Sequence, residues 1–257
     1  MIHEVFPVGL LECNCSVLGD ERSGEAIVVD PGDDIPRILA ILQRHHLRVT
    51  QILITHAHID HIAGAARLKA LTGAPILYNP RDLDLVKIMD LQASWLGLAQ
   101  APDVPPPDDT LEDGHIITIG GGVIASAREA DAQHGVIPAA GVAAGFSPRK
   151  PASQEIRASA PERSLEKSGI TAHVLHTPGH TQGSVCLYLP GHSLLLAGDT
   201  LFAGSVGRTD LPGGDTATLL RSIHHKLLAL PDATVVIPGH GPSTTIGDER
   251  ATNPFLT

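Results

Sequence analysis

The chain has 257 residues and is 42% hydrophobic but only 3% aromatic, enough for one sizeable core built mainly from Ala, Val, Ile and Leu. Its formal charge of −10 (18 basic against 28 acidic residues) repels phosphate backbones and argues against a nucleic-acid partner. Cys13, Cys15 and Cys186 are too few and scattered for a disulfide framework, Met1 to Val8 lacks the apolar run of a signal peptide, and no stretch is apolar enough to span a membrane, so a reducing cytoplasm is expected.

In chain order, Val5 to Val8, Cys13 to Leu18 and Glu25 to Val29 read as short strands broken by Gly9, Gly19 and Gly24, and Asp30-Pro31-Gly32 reads as a turn. Ile35, Ile38, Leu39, Leu42 and His46 recur at helical spacing. Val49 to Ile54 is a buried-type strand running into a histidine cluster, and Ile62 to Leu71 is a helix ending at Gly73. Pro75 to Tyr78 is a strand, and 81–98 is helical. The second half repeats the logic, with strands at 170–176, 184–189 and Ser193 to Ala197, a helix over 215–229 and a strand from Thr234 to Ile237. Strands grouped in meanders with helices between the halves predict an α/β (α+β) fold, an αββα sandwich of two mixed sheets flanked by helices. The segment 120–169 is rich in Ala, Ser, Gly and Pro and has little period; it reads as a flexible insertion within one domain spanning 1–257, a surface excursion more than a lid.

The segment Thr55-His56-Ala57-His58-Ile59-Asp60-His61 follows a strand and opens a helix. Four metal-binding side chains in six residues crowd a single small ion, whereas His56 with His58 can serve one ion and Asp60 with His61 a second. A histidine-rich surface turn is the plain alternative, but three more candidates stand at strand ends. They are His180 in Thr177-Pro178-Gly179-His180, Asp199 in Ala197-Gly198-Asp199-Thr200, and His240 in Pro238-Gly239-His240-Gly241. Glycine beside each lets backbone approach closely.

These seven residues, together with Thr177 to Ser184, Gly207-Arg208-Thr209-Asp210 and the tail Glu249-Arg250…Asn253-Pro254-Phe255, resemble the metallo-β-lactamase superfamily and, within it, the small glyoxalase II-like hydrolases. The resemblance covers nearly the whole chain outside 120–169. It implies that His56, His58 and His180 hold one divalent metal, that Asp60, His61 and His240 hold a second, and that Asp199 bridges them. Zinc is the first expectation, with iron and manganese as alternatives. It also implies a small-molecule substrate, a thioester such as S-lactoylglutathione, cleaved by a hydroxide shared between the metals and oriented by Asp60. Aspartate at the bridging position, where true β-lactamases use cysteine, argues against β-lactam antibiotics as the natural substrate.

Only seventeen residues follow His240, so the helical C-terminal domain with which full-length glyoxalase II enzymes bind glutathione is expected to be missing. Three other readings compete: a mononuclear iron persulfide dioxygenase, which shares the fold and the Gly-Arg-Thr-Asp pattern; an ester or lactone hydrolase; and a non-catalytic binding protein. Thr55, His176 and Thr181 flank ligands and are candidates to hydrogen-bond them, while Arg208 and Asp210 are expected to brace the loop after Asp199. Cys13 and Cys15 are expected in or near the core, and His45, His46, His224 and His225 on helix surfaces. Tyr78, Met89 and Trp95 are candidates for a pocket wall, with core packing preferred for Met89 and Trp95.

Overall fold

The computed structural model describes residues 1–120 and 169–256, so the expectation of a flexible insertion falls, but for its two end residues, outside the described residues. The first sheet contains β1 (Ile2–Val8), β2 (Cys13–Asp20), β3 (Glu25–Val29), β4 (Arg48–Leu53), β5 (Ile76–Tyr78) and β6 (Asp109–Thr110) in that spatial order. Its first three strands pair antiparallel and the rest parallel. The parallel pairs are connected through α1 (Ile35–Arg44), then α2 (Ile59–Ile62) and α3 (Ala65–Thr72), then α4 (Leu83–Lys87) and α5 (Met89–Trp95).

The second sheet contains β7 (Ile116–Ile119), β8 (Ile170–His176), β9 (Val185–Leu189) and β10 (Leu194–Gly198). A small hairpin of β11 (Leu201–Phe202) and β12 (Ser205–Val206) and helix α6 (Thr216–Ser222) precede β13 (Val235–Pro238) and β14 (Thr244–Thr245), and α7 (Ile246–Thr252) follows. The spatial order is β14-β13-β10-β9-β8-β7, with only β10 and β13 parallel.

Alternation along the strands builds the layers, because successive side chains leave a strand on opposite faces. In β10, Leu194 and Leu196 point into the space between the sheets, where they meet Val174, Leu187 and, from the first sheet, Leu18, Ile27 and Leu53. Leu195 and Ala197 point the other way, against Leu219 and Ile223 of the α6 layer and Ile246 of α7. Cys13, Cys15 and Val17 of β2 face outward onto Ile35, Ile38 and the helices of the first sheet. Three apolar clusters thus fill the three interfaces of an αββα sandwich, the predicted architecture.

Local boundaries differ from the sequence reading where backbone geometry intervenes. α1 stops at Arg44: His45 caps it and bonds Glu4, and His46 sits at φ 54° beyond its end, so neither is a helix-surface residue. The helix expected from Ile62 is broken at Gly64, where a Cβ would come within 2.2 Å of the Pro31 carbonyl. The helix expected over 215–229 turns into a π-helical segment at Ile223–Leu227, on which His224 and His225 are exposed. The short strands β6, β7, β11, β12 and β14 and helix α7 had no counterpart in the sequence reading.

Candidate metal centre

All seven candidate ligands lie on loops or helix starts at one end of the two sheets. His56, His58, Asp60 and His61 come from the β4–α2 loop and α2, His180 from the β8–β9 loop, Asp199 from the turn after β10, and His240 from the turn after β13. Strand ends converge here because β4 and β10 are both buried and point the same way, the usual place for a site in an α/β layer structure.

The side chains form two triads. His56 Nε2 is 3.0 Å from His58 Nδ1, and His180 Nε2 lies 3.2 Å and 2.9 Å from the same two atoms. Neighbouring nitrogens on a tetrahedral ion with bonds of about 2.0–2.1 Å stand roughly 3.3 Å apart, so this spacing suits one small cation. In the second triad, Asp60 Oδ2 lies 3.1 Å from His240 Nε2 and 3.7 Å from His61 Nε2. Asp199 stands between them: Oδ2 is 3.5 Å from His180 Nε2 and 3.8 Å from His240 Nε2, while Oδ1 is 3.5 Å from His61 Nε2.

Hydrogen bonds on the far side of the rings determine which nitrogen faces the centre. The Nδ1–H of His180 donates to the Arg208 carbonyl at 2.7 Å, and that of His240 to the Leu11 carbonyl at 2.9 Å. His61 Nδ1 donates to Asp30 at 3.0 Å. His56 Nδ1 donates to Thr55 Oγ1 at 3.1 Å, whose hydroxyl passes the bond to Asp30 at 2.7 Å. Each of these arrangements turns Nε2 inward; against the effect of burial, the acidic groups nearby hold His61 and His240 above the ordinary imidazole range, so at those two rings a cation would take the place of a proton. His61 Nε2 and Asp199 Oδ1 are buried with no hydrogen-bond partner, a costly state for polar atoms unless a cation takes them.

Charge fits the same account. Burial and the surrounding imidazoles hold His56 well below its ordinary pKa, and burial followed by His180 and His61 brings His58 down to about 3, so both rings are neutral ligands. Burial opposes ionisation of Asp60 and Asp199, but the adjacent imidazoles, His61 foremost, keep both carboxyls below the usual range. The donor set of imidazoles and carboxylates therefore fits divalent cations.

Two further buried carboxylates, which the sequence marks only as turn and helix residues, support the ligands. Asp30, at φ 52° after β3, accepts from the Thr55 amide and hydroxyl and from His61. Asp82 accepts from the amides of Ala57 and Gly183 and from the Thr181 hydroxyl, so one carboxylate ties the loop of His56 and His58 to that of His180. Gln92 of α5 likewise accepts from the Ile59 amide and donates to the Leu85 carbonyl. Asp30 carries a signal: it ends an apolar strand, as Asp199 does. Asp82 stands among polar residues and carries none.

Of the flanking residues, Thr55 reaches His56, but the Thr181 hydroxyl bonds Asp82 and Ser184, and His176 donates to the Gln182 carbonyl; neither side chain touches a candidate ligand side chain. Arg208 and Asp210 form a bidentate pair at 2.7 Å and 2.8 Å, and it is the Arg208 carbonyl that holds His180. Tyr78 and Met89 are core residues, and Cys13 and Cys15 are fully buried. Trp95 is 48% exposed instead of packed in the core, and it lines a cleft of about 700 Å³ above Asp60, Asp199 and His240.

Residues 8–240 match the profile of the metallo-β-lactamase superfamily, and the chain belongs to that superfamily. Among curated relatives, an uncharacterized protein of Aquifex aeolicus is 37% identical over 99% of this chain and 97% of its own. The hydroxyacylglutathione hydrolase GloC of Haemophilus influenzae is 31% identical over 98% and 97%. Among solved structures, the B3 metallo-β-lactamase BLEG-1 superposes with a TM-score of 0.75 at 32% identity over the full length of both chains. TTHA1623, solved in a di-iron-bound form, gives 0.72 at 34% identity over 98% of this chain and 100% of its own. No helix among the described residues is long and apolar enough to cross a membrane.

Proposed function

We propose that this protein is a hydrolase holding two divalent cations and cleaving a thioester at its carbonyl carbon. The observation that carries this reading is the position of Asp199, whose two carboxylate oxygens face His180, His240 and His61 across the gap between two complete triads. His56, His58 and His180 would hold one cation and Asp60, His61 and His240 the other. When bound, the cations supply Lewis acidity and lower the pKa of water. The chain's own part is to fix the ring nitrogens by their outer hydrogen bonds and to keep Asp60 ionised at the floor of the cleft. From there Asp60 accepts a hydrogen bond from an attacking water and orients it.

Similarity to GloC supports a thioester and makes S-D-lactoylglutathione the first to assay. The di-iron form of TTHA1623 supports a dinuclear site and keeps iron beside zinc as a candidate. The likeness to BLEG-1 favours a second reading, hydrolysis of a β-lactam, despite the aspartate at the bridging position.

Elemental analysis of metal per chain, with S-D-lactoylglutathione hydrolysis, nitrocefin hydrolysis and oxygen uptake on glutathione persulfide measured side by side, tests the proposal. Two metals with thioester turnover are expected. A single iron with oxygen uptake and no hydrolysis would overturn it, and turnover confined to nitrocefin would leave the second reading standing.

A further inference from the structure

The cleft above the metal centre has two lips, and both are apolar. One is the β1–β2 turn, where Leu10 is 73% and Leu11 43% exposed. The other is α5 and its continuation, where Leu91, Trp95 and Leu98 are 46%, 48% and 45% exposed. Of these five, Leu11 and Trp95 line the cleft itself, and Leu10, Leu91 and Leu98 stand beside them on the same turn and helix. Leu91 and Trp95 are four apart on one helix and share a face. Scattered exposed leucines need no explanation, but apolar residues concentrated on both rims of one cleft mark a binding surface.

Both lips are tied to the site. The Leu11 carbonyl accepts from His240 Nδ1 at 2.9 Å, which sets the turn beside the second triad. Gln92, three residues before Trp95, accepts from the amide of Ile59 at 3.0 Å, which sets α5 beside the loop carrying His58 and Asp60. Leu96 and Leu211 extend the wall. Arg208 is the one Lys or Arg among the described residues lining this cleft, and Asp210 takes the Nε–Nη2 edge of its guanidinium. A glutathione conjugate brings two carboxylates, and above the metal centre the described lining offers them one guanidinium, already paired with Asp210.

From these observations we infer that the cleft takes substrates whose group flanking the scissile carbonyl is an uncharged alkyl or aryl chain, held between Leu11 and Trp95, in preference to glutathione conjugates. The inference rests on the hydrolase reading for its chemistry, but the binding claim stands on the lips alone and is tested apart from turnover.

Trp95 is the chain's single tryptophan, so its emission reports directly on the lip. The metal-loaded protein is titrated with the methyl ketones 2-butanone, 2-hexanone and 2-octanone, uncharged analogues that do not hydrolyse, and with glutathione. Emission should shift to the blue, with affinity rising about threefold per added methylene and at least about tenfold across the series. The Leu11→Ser variant should flatten that rise with metal content unchanged. In parallel, kcat/KM for N-acetylcysteamine thioesters should climb from acetyl to octanoyl and exceed that for S-D-lactoylglutathione.

Equal affinity across the ketones, a rise that Leu11→Ser leaves intact, or a shift produced by phosphatidylcholine vesicles but not by ketones would overturn the inference. Lactoylglutathione as the preferred thioester would do the same and leave the hydrolase reading intact. Chain-length-dependent binding with no thioester turnover at all would uphold the inference and sink the hydrolase reading instead.

Discussion

Asp30 Oδ2 lies 3.0 Å from Nδ1 of His61, and this bond decides that the other nitrogen of the ring faces Asp60 and Asp199. The same carboxylate takes the hydroxyl of Thr55, which in turn takes Nδ1 of His56. One buried aspartate therefore orients a ring in each triad. Asp30→Asn should weaken metal binding about 10- to 100-fold, as loss of an outer partner of a ligating histidine does. Competition with a chromophoric chelator measures it; an unchanged affinity would show that packing alone holds the rings.

Asp82 acts between loops. Replacing it with alanine strands the amides of Ala57 and Gly183 and the hydroxyl of Thr181 in a buried setting. A loss of about 3 kcal/mol is expected from the denaturant midpoint of the metal-free protein, with a smaller loss for Asp82→Asn, which keeps an acceptor oxygen. Equal losses in the two variants would mean that shape, not hydrogen bonding, is what the carboxylate supplies.

Asp199→Ala removes the group standing between the triads. It should bring bound metal below two per chain and abolish turnover, both read on one preparation by elemental analysis and hydrolysis. Full metal content in that variant would refute the shared-ligand assignment.

Gly239 offers a subtler change. A Cβ there would lie 2.1 Å from Asp199 Oδ1 and 2.8 Å from a ring carbon of His61. Gly239→Ala should therefore displace both groups and lower metal content, while the far-ultraviolet circular dichroism keeps its native shape. Normal metal binding would mean that the turn after β13 shifts freely.

Adding metal to the stripped protein should raise its melting temperature. Free metal at 100 times its dissociation constant contributes about 2.7 kcal/mol, or roughly 5–10 °C for a chain of this size. A melting curve indifferent to zinc, iron and manganese would contradict a cation site in the folded state.

Much of this was legible in the residues themselves. The αββα layering follows from strands that alternate between two apolar faces, and the seven inward-facing groups announce themselves because histidine or aspartate ends a buried strand beside glycine. What escaped notice depends on contacts made only in three dimensions. Asp82 looks like any helix-start carboxylate until Ala57 and Gly183 close on it. A large aromatic on a helix suits a core or a pocket wall equally in sequence; Trp95 is exposed because α5 borders the cleft instead of covering it. The strands β6, β11, β12 and β14 are two residues each, too short to show a period.

Each triad draws on both ends of the chain: His56 and His58 precede His180 by 124 and 122 positions, and Asp60 and His61 wait for His240. A cation seated in either would act as a staple between the two sheets, held only while the folded chain keeps both halves of the ligand set together. Either half expressed alone would carry a broken set of ligands. Metal retention is thus a readout of the two sheets being docked, and a preparation that loses its metal has lost a fastening of the sandwich as well as its chemistry.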